Sequence, residues 1–578
     1  MASYDIVIKG GTIIDGLRTP RFRADIGIVD GKIVSIGRCA PSDARRTIDA
    51  RGLIVAPGFV DLHTHYDSQL FWDPWCTISG WHGVTSVVIG NCGFGFAPVE
   101  ASKRERAMLT MARNEAVPLE SMQVGMPWDW ETFPEFLDSV DRTPKGVNVM
   151  SYVGLNPLMA YVMGWHDAKG RAATDAERDE MCRLLVEAMD AGACGWSAQV
   201  AGQTSVQLDY DGTPMITDTI AERDIVAFAE VLGRLGRGFI QIAGKPELCE
   251  LLARASGRPV VWNILAAATD QHGAPTLAHA PALEWLQRAN VDEGLRIFAQ
   301  ALTVDVRFEF TLEEWNLFDS SPLWRELTLG TVDERLVKMT DPARRAALRA
   351  EYDAGQGPVA GGGTEEREVR VGSAIGELLC EWVTFDADPE LRKWEGWTIG
   401  DIAHAQGKHP IDAMLDLAAA TKLKTGFATP MRHTSVDAMS QIANSPYALP
   451  GVSDGGAHTK FITLGTYPTE LLAKWVREHE IMSLEDAHWR LAAYPAFAAG
   501  ISDRGFVREG APADLVVYDY DTLDIGPSER AVDYPAGAWR LVARANGYRH
   551  ILVNGVETFT DGVCTGAVPG RLLRHGRA

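Results

Sequence analysis

Eight short apolar runs recur between residues 53 and 456, most of them followed by a stretch with helical spacing, and this recurrence narrows the fold more than any other feature. They read LIVAPGFVDLHTH, TSVVIGN, VNVMSYVG, ACGWSA, GFIQIAG, PVVWNIL, LRIFAQAL and GVSDGG. Near-continuous apolar runs are what parallel strands need when both faces of their sheet are covered. Between them, DAERDEMCRLLVEAMDAG and AERDIVAFAEVLGRLG repeat apolar residues at intervals of three and four, the helical period. Eight strand–helix units predict the α/β class and a TIM-type (β/α)8 barrel, whose reactive groups gather at the C-terminal ends of the strands. A doubly wound open sheet is the alternative.

Both chain ends read differently. YDIVIKG, GTIID, ADIGIVD and KIVSIG near the start, and ADLVVYD, YRHILVNG and VETFTDG near the end, are short strands separated by Gly and Asp turns. They predict a small β-sandwich built from both termini, residues 1–57 and 507–578, around a barrel at 58–506. The stretch 303–449 is too long for one barrel connection, so it is expected to be an insertion, either a lid or a surface decoration. A length of 578 residues suits a large enzyme domain with a satellite.

Chemistry concentrates at the ends of the runs. A strand alternates its faces, so His63 and His65 in VDLHTH point the same way and offer two imidazoles to one divalent ion. Cys92 in VVIGNCGFG follows the second strand; a free cysteine is usually an apolar filler, but a thiolate there could bind metal. Asp454 in PGVSDGGAHT follows the last run, where a carboxylate could take a proton from metal-activated water; SDG alone reads as a turn. His458 either orients substrate or caps the loop. Tyr66, Phe71, Trp72, Trp75 and Trp81 read as core, with an apolar acyl pocket as the alternative.

Taken together, HTHYDSQLFWDP, SGWHGVTSVVIGNCGFGFAP, GMPWDWETFPEFL, YVMG, SPYALPGVSDGGAH, GAPADLVVYD and LVNGVETFTDGVCTGAVPGRLLR resemble the D-aminoacylase (N-acyl-D-amino-acid deacylase) branch of the amidohydrolase superfamily. The resemblance implies a TIM barrel with a two-ended β-sandwich. It implies zinc, one or two ions, held by His63, His65, Cys92 and Asp454, with Asp454 serving as general base and then as general acid. Candidate substrate contacts are Tyr66, Asn156 and His458. Three departures stand out. The family's serine-histidine-histidine-lysine motif on the fifth strand is replaced by GFIQIAGKP, with Ala243 and Gly244 where histidine is expected. The sixth-strand histidine is missing from VVWNIL, and the polar positions of the third-strand motif hold Leu155 and Met159. His272 and His279 are candidate replacements; Gln241 and Asn263 are polar but poor zinc ligands. In the family the third-strand motif includes an arginine, and losing it removes the natural fork for a substrate carboxylate.

The expected reaction is hydrolysis of an amide-type C–N bond in a small molecule. Cyclic-amide opening ranks lower, because the fourth run, ACGWSA, has no lysine to carbamylate. Ester or lactone hydrolysis, and a degraded non-catalytic scaffold, complete the alternatives. A formal charge of -22 disfavours nucleic acid and anionic membranes as partners. With no signal-like N-terminus, no run approaching the ~20 apolar residues of a membrane span and eight scattered cysteines, a cytoplasmic location is expected, with a homo-oligomer as an open option.

Overall fold

The structure is a computed structural model that describes residues 4–40, 43–203, 205, 207–269, 275–277, 279–313, 318, 321–355, 372–382, 389–431, 434–460 and 463–576. It is mixed α/β. Eight short parallel strands organise it: β1 (Phe59–Asp61), β2 (Val84–Ile89), β3 (Asn148–Ser151, continued by Val153–Gly154), β4 (Gly195–Gln199), β5 (Phe239–Ala243), β6 (Val260–Leu265), β7 (Ile297–Ala301) and β8 (Ala448–Pro450). β1, β2 and the first part of β3 pair in that order; the second part of β3 continues through β4, β5, β6 and β7 to β8. A parallel bridge between Thr64 and Gly455, just beyond β1 and β8, brings the two ends of the series together.

Period-two alternation sorts the side chains. Val60, Val88, Met150, Phe239, Val261, Phe298 and Leu449 share one buried cluster. Alternate residues such as Val87, Val149, Ile240, Ile242, Val260 and Ile297 join a larger cluster with the surrounding helices. Two apolar faces on every strand explain why the runs carry so few polar residues. The connecting helices begin on ordinary caps: Thr174 and Glu177 form a capping box before Asp175–Ala191, whose last turn ends at Gly192 in the left-handed region.

Two runs turn out to be composite. LIVAPGFVDLHTH is two strands, because Ile54–Pro57 pairs with the terminal strands and only Phe59–Asp61 belongs to the parallel set. The break falls at Gly58, where a Cβ would lie 2.2 Å from Thr85. VNVMSYVG breaks at Tyr152, and GVSDGG is not a strand but the turn that follows β8.

The terminal strands form one nine-stranded sheet. Leu515–Tyr518 pairs antiparallel with Ile54–Pro57, in the register Val516 opposite Ala56, and so joins the two ends of the chain. Ile8, Ile26, Ile28, Val55, Leu515, Val517 and Leu552 share its apolar face. Between β7 and β8, the helices Pro322–Thr328, Val332–Thr340, Pro342–Asp353, Ile399–Gln406 and Pro410–Ala420 bury a separate core around Phe310, Trp324, Leu348, Met414 and Phe427. Ala116, at the end of helix α1 (Arg104–Glu115), is part of that core, so the insertion sits on the connection after β2. Among the described residues no helix is long and apolar enough to cross a membrane, and all eight cysteines are free.

Candidate metal centre

His63 and His65 leave the end of β1 on a backbone that the turn after β8 holds directly. The Ser453 hydroxyl donates to the His63 carbonyl at 2.8 Å, and the His65 amide donates to the Gly455 carbonyl at 2.6 Å. Gly456 allows the approach: its φ is +88°, and a Cβ there would stand 2.7 Å from the His65 carbonyl oxygen. Cys92 follows β2 with φ +55°, and Asp454 and His458 adopt +47° and +50°. Three non-glycine residues in the left-handed region store roughly 1–3 kcal/mol each, strain that persists only where surrounding contacts impose it.

The four candidate metal residues meet. Asp454 Oδ1 lies 2.9 Å from His63 Nε2 and 3.8 Å from His65 Nε2, and Cys92 Sγ lies 3.5 Å from His63 Nε2. Donor atoms of His63, His65 and Cys92 all fall within 4.8 Å of one another, and among the described residues no other group of three or more His, Cys, Asp or Glu does so. Both histidines are about 1% exposed, and Cys92 is partly buried. Two imidazoles, a thiol and a carboxylate are the donor set that zinc favours.

Burial lowers the His63 imidazole, but the neighbouring Cys92 and Asp454 outweigh this and hold it well above the ordinary value. Burial raises the Asp454 carboxyl, but the neighbouring His63 outweighs this and holds it well below the usual carboxylate range. Burial, reinforced by His63, pushes His65 down to about 3, so this ring is the neutral base that metal ligation requires. Burial raises the Cys92 thiol, an effect that His63 opposes. Unscreened groups of this kind fit a bound cation, which would stabilise thiolate and carboxylate together. His65 Nδ1 is buried without a hydrogen-bond partner.

Three amides surround the cluster. On β5, β6 and β7 the layer below is Phe239, Val261 and Phe298, and two residues further along each strand stand Gln241, Asn263 and Gln300. Gln300 Oε1 lies 2.9 Å from His63 Nδ1, Asn263 Nδ2 lies 2.6 Å from the same atom, and Gln241 Oε1 accepts the Cys92 amide at 2.6 Å. Gln241 and Asn263, weighed from the sequence as substitutes for missing histidines, thus reach the cluster. Gln300 was not singled out, although its place in LRIFAQAL at the end of a run could have found it.

The candidate substrate contacts part company. His458 Nε2 stands 3.9 Å from Asp454 Oδ2 and 3.3 Å from Glu115 Oε2, beside the cluster. Glu115 has no sequence signature; burial raises its carboxyl well above the ordinary value, and Asp454 adds to the effect. Tyr66 does not face the cluster: it is fully buried, its hydroxyl donates to Ser79 Oγ at 2.8 Å, and its ring packs under Gly455. Asn156 donates to the Gly93 carbonyl at 3.0 Å and accepts the Thr217 amide at 3.1 Å, so both ends of its amide tie loops together. It also lines a cavity of about 550 Å³ with Phe94, Met111, Tyr161, Met163 and Trp165. Phe94, one of the residues lining that cavity, packs edge-on against His65 with ring centroids 5.8 Å apart. The aromatics after β1 are core: Phe71 stacks on Trp130 and Trp75 donates to the Ala567 carbonyl. His279 Nε2 lies 3.0 Å from Gln441 Oε1, outside the cluster, and His272 lies outside the described residues.

The chain is 28% identical to the D-aminoacylase of Alcaligenes xylosoxydans xylosoxydans, over 100% of this chain and 98% of that one. A solved D-aminoacylase with a binuclear metal centre, described as activated by one metal and attenuated by a second, superposes with a TM-score of 0.65 at 24% identity, covering 99% of this chain and 100% of that one. N-acyl-D-glutamate deacylase from Bordetella bronchiseptica, solved with zinc and a phosphonate mimic of the tetrahedral intermediate, gives 0.67 at 24%, covering 99% of each chain. These likenesses establish a shared fold. The model of the amidohydrolase family matches residues 46–559, almost the whole length, and the chain belongs to that family.

Proposed function

We propose that this chain is a zinc-dependent hydrolase that cleaves an amide-type C–N bond in a small molecule, a deacylation of the kind for which its relatives are named. The observation that carries the proposal is the convergence of His63 and His65 after β1, Cys92 after β2 and Asp454 after β8: the first three offer donor atoms within 4.8 Å of one another, and Asp454 Oδ1 lies 2.9 Å from His63 Nε2 and 3.8 Å from His65 Nε2. In this reading the eight parallel strands close into a (β/α)8 barrel, the nine-stranded sheet is the β-sandwich companion, and the helical insertion on α1 is a lid.

His63, His65 and Cys92 would hold the ion, with Asp454 beside it. Bound there, zinc would polarise the substrate carbonyl and bring the pKa of an adjacent water down to roughly 7. Asp454 takes the proton of the attacking water as its oxygen bonds to the carbonyl carbon. When the C–N bond breaks, Asp454 returns that proton to the departing nitrogen, so the carboxylate is regenerated and the amine leaves neutral. His458 faces the second oxygen of Asp454 and orients it. Burial of the cluster excludes competing water and strengthens each charge interaction.

A panel of N-acyl-D-amino acids and their neutral amides tests the proposal, with free amine as the readout. Release should stop after chelation and return with added Zn²⁺. Protein that carries no metal and releases no amine from any member of the panel would overturn it.

A further inference from the structure

We propose that this chain holds one metal ion and not two, and that Gln241, Asn263 and Gln300 are positioning residues that present His63 and Cys92 to it; the inference rests on the metal-hydrolase reading above. The donor inventory comes first. A zinc ion in a catalytic site takes three protein ligands and keeps one position open. Among the described residues the cluster supplies one such set, His63, His65 and Cys92, with Asp454 against two of them. A second ion would need further anionic or imidazole donors on the β5, β6 and β7 side of the cluster. That side carries three amides, neutral groups that bind zinc poorly. His458, across the cluster, already faces Glu115 at 3.3 Å.

The amides then have a different use. Gln300 Oε1 is an acceptor 2.9 Å from His63 Nδ1. An acceptor there places the ring proton on Nδ1 and leaves the Nε2 lone pair pointing at Cys92 and Asp454, the arrangement by which outer partners set the tautomer and orientation of a metal-bound imidazole. Asn263 reaches the same nitrogen at 2.6 Å, and its Oδ1 is buried without a partner. A half-turn of that amide exchanges its two ends and gives Nδ1–H a second acceptor. Gln241 acts on the other ligand: its Oε1 accepts the Cys92 amide at 2.6 Å and so pins a backbone whose φ is +55°. Asn263 and Gln300 are direct register partners across β6 and β7, so the clamp on His63 is part of the sheet itself. Uncharged clamps hold the ligands without repelling the cation.

Metal analysis of the full chain, purified after growth with zinc and again after titration with Co²⁺, tests the stoichiometry. The expected result is one ion per chain, with a thiolate-to-cobalt absorption band that saturates at one equivalent. Two ions per chain would overturn the inference and leave the hydrolase reading standing; no ion at all would overturn both. The positioning role is tested by Gln300→Leu, which should weaken zinc binding about 10–100-fold at unchanged stoichiometry. Gln300→Glu keeps the acceptor facing His63 Nδ1 and should restore most of that affinity. Zinc affinity within twofold of the parent in Gln300→Leu, or no recovery in Gln300→Glu, would remove Gln300 from the role.

Discussion

Asp454→Asn separates the proton-transfer role of this residue from its place in the metal cluster. The substitution exchanges one oxygen for an NH2 group of the same size, so the side chain still fills the gap 2.9 Å from His63 and 3.9 Å from His458. Three donors, His63, His65 and Cys92, remain within 4.8 Å of one another, enough to keep an ion. What disappears is a carboxylate able to accept and return a proton. General acid–base assistance of this kind is worth about 10²–10⁴ in rate, and each factor of ten is roughly 1.4 kcal/mol, so the barrier should rise by about 3–5 kcal/mol. The loss should fall on kcat and kcat/KM together, because a proton acceptor acts in the transition state and contributes little to substrate binding. Steady-state release of amine, measured beside the metal content of the same preparation, reads both quantities. A variant that keeps its metal and retains kcat/KM within tenfold of the parent refutes Asp454 as the base.

Three further outcomes follow from other parts of the fold. Burial depresses His488 to about 3, and its Nε2 lies 2.7 Å from the Tyr518 hydroxyl, so it is neutral in the folded chain and titrates at about 6.5 when unfolded. Below pH 6.5 the unfolded state therefore binds the extra proton, and stability should fall by about 1.4 kcal/mol per pH unit, or about 2 kcal/mol by pH 5; urea melts of His488→Gln should show a correspondingly flatter acid limb. Gly456→Ala places a methyl group 2.7 Å from the His65 carbonyl at φ +88°, and both metal affinity and melting temperature should drop; parental metal affinity would show that the β1–β8 contact does not position His65. Phe427→Ala empties the centre of the insertion core and should cost that unit about 3–5 kcal/mol, visible as faster amide exchange confined to the insertion's helices. Uniform exchange across the whole chain would mean that the insertion is not a separate cooperative unit.

Much of the candidate site was legible because the residues that the structure brings together are carried by local patterns. His63 and His65 share a face at the end of an apolar run, and alternation alone makes them neighbours. Cys92 and Asp454 stand just after runs, flanked by glycines that mark the turn. Tyr66 misled for the same reason that His63 and His65 did not: it is beside them in sequence, but the chain has by then turned inward, and its hydroxyl is spent on Ser79. Glu115 carries no pattern, and Gln300 only its place at the end of a run. Each matters through what it faces, Gln300 across from a histidine 237 positions away and Glu115 beside His458.

Periodicity by itself marked seven of the eight parallel strands and the short strands at both termini, since apolar spacing reports which faces must leave water. Only the tertiary structure decided how many donors meet. It split the first run between two sheets and brought β8 beside β1. It also set three amides around His63 and Cys92, because the distances between groups far apart in the chain depend on strand order and register, to which local spacing is blind.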